Sequence, residues 1–156
     1  MGSKERFYVD IQSLSNGVTG SCHLCVVKFP DGKVTRFIVD CGLFQGQNEE
    51  QDYNKSFPFK EDSIEFALIT HNHVDHIGRL PLLVKNGFQG NIYTTVDTSV
   101  LLPLALMDSC KVLKEVSKKN GTAPLYQDTH VQQTLAKVIG IPYNTSVSIT
   151  ENVQAT

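Results

Sequence analysis

The stretch "THNHVDHIG", residues 70–78, places three of the chain's five histidines and one aspartate within six positions. The apolar run "IEFALIT" over 64–70 predicts a β-strand that leads directly into it. After it, "IGRLPLLVKNGF" has apolar residues at helical spacing, with Gly87 as the predicted stop. The four polar side chains therefore lie on a strand-to-helix connection, where a rigid scaffold commonly presents functional residues.

The residue types in this connection predict a metal site. Imidazole and carboxylate ligands suit zinc and similar ions, and a His/Asp set without cysteine is more typical of catalytic than of structural zinc. In an extended loop, residues 71, 73 and 75 would share one side and residue 76 would face the other. Because Asp75 and His76 are adjacent, the spacing favours two neighbouring ions, each able to lower the pKa of a bound water toward about 7. Packed or solvated histidines are the alternative, but they explain this density poorly.

The composition of the whole chain indicates an ordinary globular protein. Its 156 residues suit one domain or a large piece of one, with 40% hydrophobic and 19% charged residues. The net charge of −2 provides no overall cationic field, so any nucleic acid must be bound through a local site. No apolar run approaches the length of a membrane span, and the N-terminus lacks a signal-peptide core. We expect a soluble cytoplasmic protein without membrane contact.

The cysteines are too few and too scattered for a secreted disulfide framework, and we expect buried thiols. They are Cys22, Cys25, Cys41 and Cys110. The CxxC spacing of the first two lies in "SCHLCVVKF", which reads as a strand, where positions i and i+3 point to opposite faces. A zinc-knuckle or redox role is therefore the less favoured interpretation.

The remaining pattern predicts a mixed α/β layout. A strand over 6–14 is followed by a hairpin of 21–29 and 33–40 around the turn Pro30-Asp31-Gly32. A long polar loop over 40–63, with room for one short helix, comes next. Further along we predict a strand over 90–96, helices over 97–121 and 128–140, and β structure again over 143–156.

The longest predicted helix, 97–121, has its own expected features. Pro103 should kink it or mark where its regular part begins, and Asn120-Gly121 should end it. Its lysines, Lys111, Lys114, Lys118 and Lys119, are better explained as a solvated face than as an RNA contact. The predicted apolar stripe consists of Leu101, Leu104 or Ala105, Val112 and Val116. Asp128 or Thr129 is the expected cap of the next helix.

Several separate stretches resemble one known family. "HNHVDH" matches the HxHxDH signature of the metallo-β-lactamase superfamily at every specified position. In order, the chain also resembles the start of the β-CASP group of nucleic-acid-processing nucleases, through "GVTGSCHL" (17–24), "IVDCGLFQG" (38–46), "THNHVDHIGRLPLLVKNGFQGNIYTT" (70–95), "LLPLALMDS" (101–109), "PLYQDTHVQQTL" (124–135) and "IPYN" (141–144). The resemblance implies an α/β (α+β) fold, the αββα sandwich, with a mixed β-sheet flanked by helices.

The resemblance also implies a two-zinc site and assigns roles within it. Asp40 matches an aspartate that supports the metal-binding loop. His71 and His73 would bind the first zinc, and Asp75 and His76 the second. Asp75 would also take part in handling the proton of the attacking water. The implied substrate is single-stranded RNA, cut by an endonuclease or a 5′ to 3′ exonuclease, with DNA a lesser alternative.

The chain departs from the family pattern after the histidine cluster. The family needs further ligands, namely a third histidine for the first zinc, a bridging aspartate and a later histidine. The only later histidine here, His130, lies at a predicted helix start and is not expected to bind metal, and His23 is expected to be packed or solvated. We therefore interpret residues 1–156 as the N-terminal part of a metallo-β-lactamase domain, without its C-terminal half or the β-CASP domain. Alone, it should hold metal weakly and be a poor catalyst.

Two other functions remain open from the sequence. One is a metallo-β-lactamase-fold hydrolase of small thioesters or lactams, against which "DCGLFQG" and the helix with "MDS" argue. The other is a non-catalytic truncated module that pairs with a second copy of itself, as a homo-oligomer, or with a partner chain supplying the missing half. Its exposed apolar sheet and unpaired strand edge would then form the interface.

Overall fold

The structure, a computed structural model, describes residues 6–15, 17–45 and 53–156. Its main feature is a six-stranded mixed sheet with the spatial order β1 to β6. The strands are β1 (Tyr8–Ser13), β2 (His23–Lys28), β3 (Val34–Val39), β4 (Phe66–Leu68), β5 (Asn91–Thr95) and β6 (Val138–Ile141). The first three are antiparallel, and β3 through β6 run parallel. A two-stranded sheet comes last, formed by β7 (Val147–Thr150) and β8 (Val153–Ala155).

The helices lie mainly between the parallel strands along the chain. They are α1 (Val74–Ile77), α2 (Leu80–Lys85), α3 (Val96–Asn120) and α4 (Asp128–Leu135), and a short 3₁₀ helix spans Glu61–Ser63. The one short helix expected in the long polar loop is this 3₁₀ turn, while residues 46–52 of that loop lie outside the described residues. None of the described helices is long and apolar enough to cross a membrane.

The predicted hairpin is confirmed. β2 pairs antiparallel with β3, and the chain reverses between them through Asp31 and Gly32. Gly32 has φ of 84°, in the left-handed region that glycine adopts without strain. The backbone N–H of Phe29 closes the turn by donating to the carbonyl of Lys33 at 2.9 Å.

One apolar core lies where the helices cover the sheet. The sheet contributes Ile38, Ala67 and Ile92, and the helices contribute Ile77, Leu80, Leu83, Leu102 and Leu106, all fully buried. Tyr126 and Val131 extend this core toward α4. The predicted burial of the four cysteines is also confirmed, and all four are free thiols.

The predicted apolar stripe of α3 is wrong. Leu104 is 73% exposed, Leu101 and Val112 are each 49% exposed, and Ala105 is half-buried. The buried residues are instead Thr98, Leu102, Leu106, Ser109 and Cys110. This face includes a threonine and a serine, which a search for apolar periodicity does not find. Pro103 lies inside the helix, so it does not mark the helix start, whereas the predicted end at Gly121 is confirmed by its left-handed φ of 66°.

The helix predicted over 128–140 is too long. It ends at Leu135, and Val138–Ile141 forms β6, which pairs parallel with β5. The β-branched residues of this segment suit a strand, and pairing with a distant strand overrides the local helical pattern. The N-cap is Gln127 rather than Asp128 or Thr129.

Parallel pairing brings two segments with candidate site residues to one edge of the sheet. β3 and β4 end at the same edge, with Asp40 directly after the first and the histidine-containing loop after the second. The N–H of Asp40 donates to the carbonyl of Leu68 at 2.9 Å. In open α/β sheets, ligands commonly bind beyond the carboxyl ends of the strands.

Candidate metal centre

The loop after β4 does not stay extended. His73 is the N-cap of α1, and its carbonyl accepts hydrogen bonds from the N–H groups of His76 (2.8 Å) and Ile77 (3.1 Å). Asp75 and His76 therefore lie on a helical turn. The arrangement considered for an extended loop, with residues 71, 73 and 75 on one side and residue 76 opposite, therefore does not apply.

This turn brings the four candidate ligands together. The ring centroid of His71 lies 4.7 Å from that of His73 and 4.0 Å from that of His76. Nε2 of His76 lies 3.7 Å from a carboxylate oxygen of Asp75. His73 is exposed, and the other three are half-buried, so water and a ligand can reach the group.

Asp40 lies beneath the loop and bonds to several of its groups. It has φ of 60°, a left-handed conformation that aspartate tolerates better than most residues, and it is 3% exposed. Its carboxylate accepts hydrogen bonds from the Thr70 N–H (2.9 Å), the Thr70 hydroxyl (2.9 Å) and, weakly, the Ser21 hydroxyl (3.4 Å). It also lies 2.7 Å from Nδ1 of His76.

The contact with Asp40 determines which ring nitrogen of His76 is free. A carboxylate only accepts hydrogen bonds, so Nδ1 of His76 carries the proton in this pair. In the neutral imidazole, Nε2 then keeps its lone pair. Histidines that bind metals normally donate their other ring N–H to a carboxylate or carbonyl in this way.

Backbone hydrogen bonds fix α1 to the segment after β3. The N–H groups of Cys41 and Leu43 donate to the carbonyls of His76 (2.7 Å) and Val74 (3.1 Å), respectively. A third donor, the N–H of Ser21, bonds to the carbonyl of Asp75 at 2.8 Å. These contacts set the position of the turn that carries Asp75 and His76.

Gly42 is required by this close approach. A Cβ atom at this position would lie 1.6 Å from the carbonyl oxygen of Asp75 and 2.7 Å from the backbone nitrogen of His76. Both are backbone atoms, so no side-chain rotation could relieve the clash. The glycine of "DCGLFQG" therefore allows the segment after β3 to lie against the histidine-containing loop.

Arg79 is a buried cation next to the site, which the sequence reasoning missed. It is 2% exposed, and its Nε and one Nη donate to the carbonyls of Gly42 (2.6 Å) and Tyr53 (2.9 Å). The guanidinium also lies 4.8 Å from the ring centroids of Phe44 and Phe57. Carbonyl acceptors and aromatic faces compensate for its desolvation. A single charged residue in a connection gives no sequence signal of burial.

Two cysteines lie close to the histidine-containing loop. Cys22 and Cys41 are fully buried and hydrogen-bonded to each other. The hydrogen bond from Cys41 lowers the pKa of the Cys22 thiol, while burial raises the pKa of Cys41. Burial likewise raises the pKa of Cys25, the second cysteine of the CxxC spacing.

The other two histidines have different partners. Nδ1 of His130 accepts a hydrogen bond from the Gln127 N–H at 3.0 Å, which caps α4. His23 lies on β2, half-buried, with Nε2 at 3.4 Å from the Ser21 hydroxyl. Through Ser21 it connects indirectly to Asp40, a link that the sequence did not suggest.

A groove of about 1070 Å³ runs beside the site. His73, Asp75 and Phe44 line it. Residues of α3 line it as well, including Val112 and Val116 of the expected apolar stripe. These residues are therefore groove-lining side chains rather than core residues.

Comparison with known proteins decides the family. The profile described as metallo-beta-lactamase superfamily matches residues 19–150. The chain belongs to the metallo-β-lactamase superfamily. The resemblance predicted from HxHxDH is thereby confirmed, and the mixed sheet with flanking helices agrees with the fold class expected for it.

Three examples show which proteins are similar in sequence to this chain. Ribonuclease TTHA0252 of Thermus thermophilus is 34% identical over 126 residues, covering 81% of this chain and 26% of the relative. Cleavage and polyadenylation specificity factor subunit 3-II of Arabidopsis thaliana is 33% identical, covering 83% and 21%. Transcription termination factor FttA of Cenarchaeum symbiosum is 30% identical, covering 77% and 18%. The chain thus spans about a quarter or less of the length of these relatives.

The loop residues of this superfamily chain fit zinc only as a partial ligand set. Their imidazole and carboxylate donors suit zinc, and His76 is held in a form that can bind it. Across residues 6–15, 17–45 and 53–156, however, no three His, Cys, Asp or Glu side chains are arranged to hold one ion. A closed site therefore needs further ligands.

Proposed function

We propose that this chain is the N-terminal part of a β-CASP-type, zinc-dependent metallo-hydrolase that cleaves phosphodiester bonds of RNA, in the cytoplasm. The observation that carries this proposal is the loop at the carboxyl end of β4. It groups His71, His73, Asp75 and His76 above one buried carboxylate, Asp40. The names of two relatives, a ribonuclease and a cleavage and polyadenylation factor subunit, support RNA over DNA.

In this proposal the loop residues act as two pairs. His71 and His73 would hold one zinc, Asp75 and His76 the other, and Asp40 would orient the second histidine. When bound, zinc would polarise the phosphodiester and acidify the attacking water. The Asp75 carboxylate, which is half-buried and lines the groove, would take up the proton of that water.

The remaining ligands of each zinc would come from outside these residues, as part of the longer protein or from a partner chain. Metal affinity depends on a complete and oriented ligand set. The 156-residue chain alone should therefore hold zinc weakly and cleave RNA poorly. This expectation also accounts for the absence of a three-ligand group in the described part of the chain.

The test uses the natural protein that contains this chain, supplied with zinc and end-labelled single-stranded RNA. Replacing His73 by Ala or Asp75 by Asn should lower the cleavage rate by more than about 100-fold, since even outer-shell changes at metal sites cost about 10–100-fold. His130→Ala is the control, because His130 caps α4 and does not join the loop. Full activity of either loop variant would refute the proposal.

The same purified protein also tests whether RNA, rather than one of the alternative substrates, is cleaved. Single-stranded DNA of the same sequence and a thioester or lactam substrate are tested beside RNA. RNA cleavage that depends on His73, with little turnover of the other substrates, supports the proposal. Turnover of the small ester or lactam without RNA cleavage would instead assign a small-molecule hydrolase.

A second candidate, a module that pairs with another chain, is favoured by β1. Every residue of this strand is exposed, and Phe7, Tyr8 and Ile11 are each more than 60% exposed. Among the described strands, β1 pairs only with β2, so its outer edge is open. Such an edge can add a strand from a second copy or a partner. Sedimentation that shows a stable monomer, together with no binding of a hydrophobic dye, would contradict this candidate.

A further inference from the structure

Thr70 connects the buried carboxylate to a second histidine. Its hydroxyl oxygen lies 3.0 and 2.9 Å from the two oxygens of Asp40 and 2.9 Å from Nδ1 of His71. Its backbone N–H also donates to Asp40 at 2.9 Å, which fixes the residue against the carboxylate. Asp40 is 3% exposed, so water competes little for these contacts.

The protons available on Asp40, Thr70 and His71 determine which group donates in each of these hydrogen bonds. A threonine hydroxyl has one proton and can accept through its lone pairs, and an ionised carboxylate can only accept. A hydrogen bond to a carboxylate is charge-assisted and stronger than one to a neutral ring. If the Thr70 proton went to His71, the hydroxyl and carboxylate oxygens would face each other at about 3 Å with no proton between them.

From this we infer that Thr70 is a positioning residue that holds His71 in the tautomer with the proton on Nδ1. Thr70 donates to Asp40, and Nδ1–H of His71 donates to the Thr70 oxygen. The lone pair of His71 is then on Nε2, as in His76, which contacts Asp40 directly. One buried carboxylate would thus orient two histidines that belong to different zinc pairs in the proposed function, on which this inference rests.

The test compares Thr70→Val with Thr70→Ser. Valine keeps the β-branched shape but has no hydroxyl, while serine keeps the hydroxyl and is the matched control. Long-range proton–nitrogen NMR of nitrogen-15-labelled histidine reports which ring nitrogen is protonated. The spectra are recorded without metal, at a pH where the nitrogen chemical shifts themselves show the rings to be neutral.

We expect Nδ1–H for His71 in the wild-type and Thr70→Ser chains, and a shift toward Nε2–H in Thr70→Val. His76 should keep Nδ1–H in all three, because its contact with Asp40 does not involve Thr70. That signal also shows that Thr70→Val is still folded around Asp40. If the variant does not fold, the wild-type spectrum alone decides: Nε2–H on His71 overturns the inference. An unchanged Nδ1–H in folded Thr70→Val overturns it as well.

A second measurement tests the consequence for metal binding. In competition with a chromophoric chelator, Thr70→Val should bind zinc about 10–100-fold more weakly than the wild-type chain, as for other changes behind metal-bound histidines. Thr70→Ser should stay close to wild type. Equal zinc affinity of Thr70→Val and wild type would show that the tautomer does not matter for binding. If the natural protein failed to cut RNA, the proposed function would fall while the tautomer result would stand.

Discussion

At the scale of single residues, the side chains that shape the candidate site are not its ligands. Gly42, Thr70 and Arg79 act through backbone or side-chain contacts with the loop or with the segment that supports it. The candidate ligands were predictable because three histidines and an aspartate occur together. The supporting residues were not, because a lone glycine, threonine or arginine has many ordinary uses in a sequence.

Gly42→Ala should destabilise the fold. The added Cβ would overlap the backbone of Asp75, so the segment after β3 or α1 must move. We expect the free energy of unfolding to fall by about 3 kcal/mol or more, at the upper end of the cost of overpacking. Gly17→Ala is the control, since a Cβ there meets nothing within 4 Å. Urea denaturation measures both variants, and equal stability of the two would contradict the role given to Gly42.

Arg79→Lys should be costly although it keeps the charge. A lysine ammonium cannot reproduce the planar fork that bonds Gly42 and Tyr53 while stacking on aromatic rings. We expect a loss of about 1–3 kcal/mol for each carbonyl left without its donor. The control is Arg36→Lys, at an exposed position on β3. If urea denaturation gives both variants the stability of wild type within experimental error, the role given to the buried Arg79 guanidinium is contradicted.

At the scale of elements, features set by local sequence signals could be predicted, whereas those set by long-range strand pairing could not. The β2–β3 hairpin and the end of α3 follow from turn and cap residues within a few positions, and both were predicted. β6 was read as helix because its strand character depends on pairing with β5, more than 40 residues earlier by numbering. The buried face of α3 was missed because Thr98 and Ser109 belong to it.

Two leucines distinguish the buried face of α3 in the structure from the apolar stripe that the sequence predicts. Leu106 is fully buried, and Leu104, two positions earlier, is 73% exposed. Leu106→Ala should lower the free energy of unfolding by about 2–5 kcal/mol, because it leaves a cavity in the core. Leu104→Ala should change it by less than about 0.5 kcal/mol. Thermal or urea unfolding of the two variants checks this. A larger loss of stability in Leu104→Ala than in Leu106→Ala would support the predicted stripe instead.

The contact between α3 and α4 should depend on pH. The Lys114 ammonium bonds to the Asp128 carboxylate and lowers the pKa of that carboxyl below its ordinary value of 3.8. A carboxyl with a lowered pKa in the fold stabilises it above its unfolded pKa, and this contribution disappears as the pH falls through the folded pKa. Because Asp128 is exposed, the effect should be small and reduced by salt.

Asp128→Asn tests this contact. The stability difference between wild type and variant should be largest near neutral pH and should shrink as the pH falls below about 4, near the ordinary pKa of aspartate. Urea denaturation at several pH values, in low and high salt, measures it. A difference that does not change with pH would mean that the ion pair contributes nothing to folding.

At the scale of the whole molecule, the sequence predicted where the site lies better than how it is built. The order of elements and the HxHxDH motif placed the candidate loop directly after a strand, and the sheet confirms that this loop follows β4. The helical turn under Asp75 and His76 was not predicted, because four residues carry too little periodicity to distinguish a turn from an extended loop. The buried network around Asp40 depends on segments that meet only in the folded chain.

The central claim is that the loop, and not the cysteines, binds zinc. X-ray absorption of the chain with equimolar zinc tests this most directly, because nitrogen and oxygen ligands lie at about 2.0–2.2 Å and thiolate sulfur at about 2.3 Å. We predict a nitrogen and oxygen shell with the outer-shell scattering of imidazole, which is lost when His71, His73 and His76 are replaced by alanine. A sulfur shell, or an imidazole signal unchanged by those replacements, would contradict the account.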